Sequence, residues 1–205
     1  MTDVDTTAAA PARRTARRRE AICAAVFELL GEVGYDRMTM DAVAARAHAS
    51  KATIYRSWPD KPELVVEAVL NRFSATPEPP DTGSLRGDLL ALAENACRLV
   101  GSADGDVITG LMTAAAMNPT LAETMHQCMY ESKRHAHDTI VRRAVERGEL
   151  DSTASAALLQ EVVHAMLMTR RLWTTAPLDQ DFVLHLIDDI LLPLLTYRRA
   201  ERPGT

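Results

Sequence analysis

The sequence predicts an all-α protein in two parts, an N-terminal three-helix domain followed by a larger helical one. Three observations carry that reading. Ala, Leu, Arg and Glu dominate almost everything after residue 14, and these residues lose little side-chain freedom in a helix. Apolar residues recur at helical spacing, and no stretch sustains the alternation of β-branched and polar residues that a half-buried strand needs. The segment Pro77-Glu-Pro-Pro-Asp-Thr-Gly83 breaks the pattern as a linker. At 205 residues, the chain has length for one compact unit or two small helical ones.

Each element has a local reason. Residues 1–12 are small and polar with Pro11, and a disordered leader is expected over 1–14. A first helix near 15–33 carries Ile22, Val26, Leu29, Leu30 and Val33 on one stripe, and Gly34 stops it. Thr39 caps a short helix through Ala47, with Val43, Ala44 and Ala47 on a common face. His48 and Ala49 make a tight turn, and Ser50 opens a short helix to Ser57. Pro59-Asp60-Lys61-Pro62 begins another, to about Phe73, with Pro62 in the first turn where its missing N–H costs little. These make a domain over 15–75, with the linker at 76–83. Beyond it the pattern predicts helices near 84–101, 106–116, 119–147, 153–175 and 179–199, about nine in the whole chain. They form a domain over 84–200, with 201–205 as a tail. Ser84 caps the first, Pro119 starts the third, and Gly148 ends that long helix behind Arg142, Arg143 and Arg147, cations that suit a helix C-terminus. Pro193 is expected to kink the last helix.

Several function classes fall on composition. No run of eighteen or more apolar residues exists, so a membrane span is not expected. The N-terminal arginines precede a short apolar run that Glu28 and Glu32 interrupt, which reads as an amphipathic helix and not a signal peptide. Cys23, Cys97 and Cys128 are widely spaced and read as buried thiols in a reducing cytoplasm, without a disulfide framework or a zinc site. No nucleophile–base pair, glycine-rich phosphate loop or metal-ligand cluster stands at useful spacing, so neither an enzyme nor a cofactor is expected. Asp188 and Asp189 occupy adjacent, diverging helix positions, a poor geometry for paired acid/base work. The formal charge is −5, but residues 13–61 carry a net +4 while 62–205 carry −7. A basic module on an acidic one leaves a single face suited to approach a polyanion.

Residues 39–58 lie in that basic region and have the layout of a helix-turn-helix, whose second helix can enter the DNA major groove. Ala44 and Ala47 are small enough for close helix approach, and Val43 and Ile54 supply apolar contact. The second helix then presents Lys51, Ala52, Thr53 and Arg56. A lysine can donate to guanine O6/N7, and a threonine to a base edge or a phosphate. Tyr55 offers a hydroxyl at phosphate level, Lys61 leads the next helix, and Thr39 can leave its backbone N–H facing a phosphate. The stretch Gly34-Tyr-Asp-Arg-Met-Thr-Met-Asp-Ala-Val-Ala-Ala-Arg-Ala-His-Ala-Ser-Lys-Ala-Thr-Ile-Tyr-Arg-Ser-Trp-Pro-Asp-Lys61 resembles the DNA-binding signature of the tetracycline-repressor (TetR) family, over about residues 15–73. The remainder is similar to that family's ligand-binding and dimerisation domain in length and helix order. The resemblance implies groove-facing roles for Lys51 and Ala52, and phosphate contacts or approaches for Thr39, Ser50, Thr53, Tyr55, Arg56 and Lys61. It also makes Trp58 a hydrophobic plug behind the recognition helix, where the family usually has Phe. His48 departs from the family's usual Gly, and a left-handed His there costs about 1 kcal/mol relative to Gly. Arg17 belongs to a run with Arg13, Arg14, Arg18 and Arg19 that is either a solvated charge run or a minor-groove or phosphate-gripping arm.

A small DNA reader gains selectivity as a dimer on a two-fold-related operator. Leu159, Val163 and Met166, with Ile187, Ile190, Leu191 and Leu194, form an apolar stripe wider than one packing face needs, and are expected to build a four-helix interface between two copies. Met112, His126, Met129, Tyr130, His164, Met168 and Trp173 are candidates to line a small-molecule effector site, since methionines adapt to varied apolar ligands. The expected protein is thus a cytoplasmic, ligand-responsive regulator, most simply a repressor, of double-stranded operator DNA. The competing reading is a helical small-molecule carrier or interaction protein whose basic N-terminus only aids solubility.

Overall fold

Local start signals decide where the helices begin. The computed structural model of the chain describes residues 9–73, 78–127, 131–174 and 176–197, with side chains described from residue 13 and, after the second gap, from residue 134. Helix α1 spans Ala9–Arg37 and is broken at Gly34, whose φ of 75° is open to glycine without a Cβ penalty. Then come α2 (Met40–Arg46), α3 (Lys51–Ser57) and α4 (Lys61–Arg72). The second half of the chain holds α5 (Leu85–Val100), α6 (Ala103–Ala115), α7 (Pro119–Met125), α8 (Glu131–Glu146) and α9 (Ala156–Trp173). It closes with α10 (Gln180–Leu184) and α11 (Leu192–Thr196), joined through π-helical turns at His185–Leu191. Thr39, Ser50 and Ser84 cap as their positions predict, and Asp60, Asn118, Ser155 and Asp179 do the same for α4, α7, α9 and α10.

One expectation needs correction, and two others gain detail. Residues 9–14 of the supposed leader are helical; the alanines around them are strong helix formers, and Pro11 falls in the first turn, where no N–H is needed. Of the helix expected over 119–147, residues 119–125 and 131–146 are α-helical, 126–127 are π-helical, and 128–130 lie outside the described residues. Leu121 on α7 is fully buried in one unit, and Ile140, Val141 and Ala144 on α8 are buried in the other. Ahead of Pro193 the helix departs from α-helical bonding. The Leu192 N–H reaches back to the Ile187 carbonyl, so the register shift that a missing N–H demands is spread over the preceding π-helical turns.

The described residues form two compact units. The first joins the N-terminal helices to residues 107–127. In it α1 packs on α2 and α4, α2 on α3, and α4 on α7. Ile22, Val26, Leu29 and Leu30 of the predicted α1 stripe are buried, as are Val43 and Ile54. The second unit contains residues 78–106 and the helices from α8 onward. Its core runs through Leu85 and Leu89 of α5, Ile140 of α8, Leu159 and Val163 of α9, and Phe182, Ile187 and Leu191 at the end of the chain. Among the described residues, no helix is long and apolar enough to cross a membrane.

Candidate nucleic-acid interface

The candidate interface is built on α1, which fixes α2 and the end of α3. Arg46, at the end of α2, donates to both carboxylate oxygens of Glu32 at 2.9 and 2.8 Å and to Glu28 at 3.3 Å. The guanidinium holds the Glu32 carboxyl below the usual carboxylate range. A turn closed on α2 follows: the Ala49 N–H bonds the Ala44 carbonyl at 3.0 Å and the His48 N–H bonds that of Ala45 at 3.3 Å. These are the two bonds of a Schellman cap, with His48 left-handed at φ 49° in the glycine position. The same pair of bonds closes α8 around Gly148, so the motif recurs with the residue it prefers. His48→Gly is expected to stabilise the domain by about 0.5 kcal/mol or less, the left-handed penalty less the extra unfolded freedom of Gly. Urea unfolding checks it; a loss of stability would contradict it.

The recognition helix starts directly after this turn. Ser50 Oγ accepts from the Thr53 N–H at 3.2 Å and lies 2.9 Å from Thr53 Oγ1. Ile54 is buried to 1% exposure, whereas Lys51, Ala52, Tyr55 and Arg56 are exposed and Thr53 is half-buried. Lys51 Nζ sits 2.6 Å from Asp41 Oδ1, an ion pair joining the first turns of α2 and α3. Thr39 Oγ1 is engaged in capping α2, accepting from the Ala42 N–H at 3.2 Å. At the far end Trp58 is 2% exposed, as a plug should be. Its Nε1–H donates to Glu67 Oε2 at 2.8 Å, Arg19 lies 4.7 Å over its ring, and Arg19 grips the same Glu67 carboxylate.

These placements sort the predicted residues. Lys51, Ala52, Thr53, Tyr55 and Arg56 come together on α3, with Ser50 and Thr39 at the two helix starts. Lys61 differs from a solvated arm: its Nζ lies 4.1 Å from the Tyr35 ring centroid, and burial lowers its pKa. Arg17 is exposed on α1, but Arg19 of the same run holds Trp58 in place and is structural. Sequence reasoning missed Asp41, Arg46 with Glu32, and Glu67. A buried Trp N–H requires an acceptor, a signal that calls for a partner of Trp58 without saying which.

Comparison with known proteins agrees with this geometry. The family model for "Bacterial regulatory proteins, tetR family" matches residues 22–68, and that for "Tetracyclin repressor-like, C-terminal domain" matches residues 79–190. The HTH-type transcriptional regulator Rv1556 of Mycobacterium tuberculosis is 40% identical over 179 residues, 87% of this chain and 88% of that one. The chain belongs to the TetR family. The DNA-binding transcriptional repressor TetR of Mycobacteroides abscessus is 38% identical over 189 residues, 91% of this chain and 95% of its own. The crystal structure of the TetR-family transcription regulator SCO0332 superposes with a TM-score of 0.68 at 28% identity, covering 85% of this chain and 98% of that one. FadR from Bacillus subtilis, in complex with stearoyl-CoA, shares the fold at 16% identity and a TM-score of 0.58, covering 86% and 96%. Membership makes the chain a helix-turn-helix transcriptional regulator and sets aside the enzyme and carrier readings.

Within the TetR frame, the interface residues need revision. Leu159, Val163, Ile187 and Leu191 are 6% exposed or less and belong to the core of their own unit. Periodicity marked them as apolar but could not say which half of a wide stripe stays inside. Met166 and Ile190 are half-buried, and Leu194 is 37% exposed. The apolar residues left outward are Leu158, Leu172 and Trp173 on α9, with Leu194 and Tyr197 at the end of the chain. The effector candidates are divided between the two units. Met112 and His126 lie in the first unit, His164, Met168 and Trp173 in the second, and Met129 and Tyr130 outside the described residues. Met168 packs on the second core, His164 is exposed, and Trp173 is 83% exposed, so it closes no pocket wall in its unit. Two surface cavities, one beside Cys97, Arg98 and Asp179 and one beside Tyr35, Arg37 and Thr113, include none of these residues. Cys23 and Cys97 are buried, with the Cys23 thiol pushed up to about 12 by desolvation; Cys128 lies outside the described residues. Among the described residues no cluster of three or more His, Cys, Asp or Glu side chains is placed to hold a metal.

Proposed function

We propose that this regulator is a cytoplasmic repressor that binds a palindromic operator as a homodimer and answers to a small-molecule effector. One observation carries the reading: α3 exposes Lys51, Ala52, Tyr55 and Arg56 while Ile54 and Trp58 hold its other side in the core. Lys51 and Ala52 face base edges in the major groove; Tyr55, Arg56, Thr53, and the helix starts at Thr39 and Ser50 approach phosphates. Lys61 and Arg17 extend that footprint along the backbone. A second copy, docked through the outward side of α9 and the end of the chain, places two α3 helices about one helical turn apart, roughly 34 Å. The effector acts by binding one arrangement of the dimer better than the other. Stearoyl-CoA bound by the fold neighbour FadR supports a ligand with a large apolar part.

A mobility shift of the full chain on the DNA upstream of its own gene tests the reading. A retarded band that weakens steeply with salt is expected; no band at low salt would contradict it. Lys51→Ala is expected to cost about 1–3 kcal/mol on the preferred site and relax the choice of one base. Lys61→Ala is expected to weaken every duplex alike. A thermal-shift screen with acyl-CoA and other amphipathic compounds, followed by DNA titration, addresses the effector.

A further inference from the structure

Asp41 has no part in the readings above, yet its carboxylate lies 2.6 Å from the ammonium of the lysine placed against the bases. We propose that Asp41 is a specificity-determining residue, which holds the Lys51 ammonium as a reader of one base position and withdraws it from general phosphate binding. The inference rests on the reading of α3 as the recognition helix.

A lysine head is a compact charge with three donors on a flexible stem, and it takes phosphate as readily as guanine. Asp41 sits in the first turn of α2 and Lys51 begins α3, so the pair ties together the two helix starts. Both side chains are more than half exposed, at 59% for Lys51 and 66% for Asp41, so the pair stands in solvent. The carboxylate occupies one of the three donors and limits where the other two point. A guanine O6/N7 edge can accept from those two without displacing Asp41. A phosphate brings a negative charge against the carboxylate, and non-specific binding depends on phosphate neutralisation. The pair therefore penalises random duplex more than the preferred one. Such an exposed pair adds little to folding, so stability does not account for it. The other charged side chain of α2 at its far end, Arg46, is already engaged by Glu28 and Glu32. The contact with Asp41 also raises the Lys51 pKa, keeping the head charged.

The test compares the full-length wild type with Asp41→Asn, Lys51→Ala and the double variant by fluorescence anisotropy. The probes are a duplex selected by the wild type from a randomised library and a scrambled duplex, each across a salt series. Asp41→Asn is expected to tighten binding to the scrambled duplex about 3–10-fold and to steepen the salt slope by about one per protomer. The ratio of selected to scrambled affinity should fall about tenfold, within the range that one base position commands. In the Lys51→Ala background, Asp41→Asn should leave that ratio unchanged. Equal tightening on both duplexes would overturn the proposal, leaving Asp41 a plain surface charge. So would an unchanged ratio, or the same fall in ratio with Lys51 absent. Absence of salt-dependent binding by the wild type would overturn the DNA-binding reading itself, and this proposal with it.

Discussion

Trp58→Ala is expected to destabilise the N-terminal unit by about 3–5 kcal/mol and to abolish specific DNA binding. The recognition helix α3 is seven residues long, far too short to hold its shape or angle alone. Its inner side offers Ile54, and the residue directly after it is Trp58, 2% exposed. Removing the indole leaves a cavity at the C-terminal end of α3. It also takes away the surface on which Arg19 rests, and leaves Glu67 without the 2.8 Å bond from Nε1. Trp58→Phe separates the two contributions. The ring and its packing stay, Glu67 keeps Arg19, and the loss should be about 1 kcal/mol, the worth of one hydrogen bond. Urea unfolding and anisotropy on a selected duplex measure both variants. A Trp58→Ala protein within 1 kcal/mol of the wild type would contradict the assignment of Trp58 as the plug.

The second large effect is expected at the outward side of α9 and the end of the chain. Leu172→Asp with Leu194→Asp should convert a dimer to a monomer and weaken operator binding at least about a hundredfold, since each half-site then binds without its partner. The large apolar residues of this unit that stay outside are Leu158, Leu172 and Trp173, with Leu194 and Tyr197. An uncompensated carboxylate placed between two copies costs far more than one facing water. Leu159→Ala is the contrast. Leu159 is fully buried in its own unit, so the loss there should be about 2–5 kcal/mol of folding stability, with the dimer intact while the chain is folded. Analytical ultracentrifugation with thermal unfolding distinguishes them. A double aspartate variant that still sediments as a dimer would contradict the proposed face.

Much of the fold was legible because its signals are local. Thr39, Ser50 and Ser84 each cap a helix through a side chain three residues from its partner N–H, and Gly34 breaks α1 at a left-handed position. The candidate recognition surface was legible for the same reason, since the α2–turn–α3 stretch is contiguous in sequence. What escaped was decided by distant partners. Glu67 meets Arg19 across 48 positions, and Arg46 meets Glu32 across 14. Leu158 and Leu159 are neighbours of equal hydrophobicity, and only the packed core distinguishes outside from inside.

The most direct measurement is the sequence that the full-length chain selects from a randomised duplex library. Dimeric readout by α3 should enrich an inverted repeat whose half-site centres lie about one helical turn apart, roughly 34 Å. Lys51→Ala should lose preference at one symmetric base position and keep the spacing. Recovery of no enriched sequence, or of a single half-site bound by an undiminished Lys51→Ala variant, would contradict it.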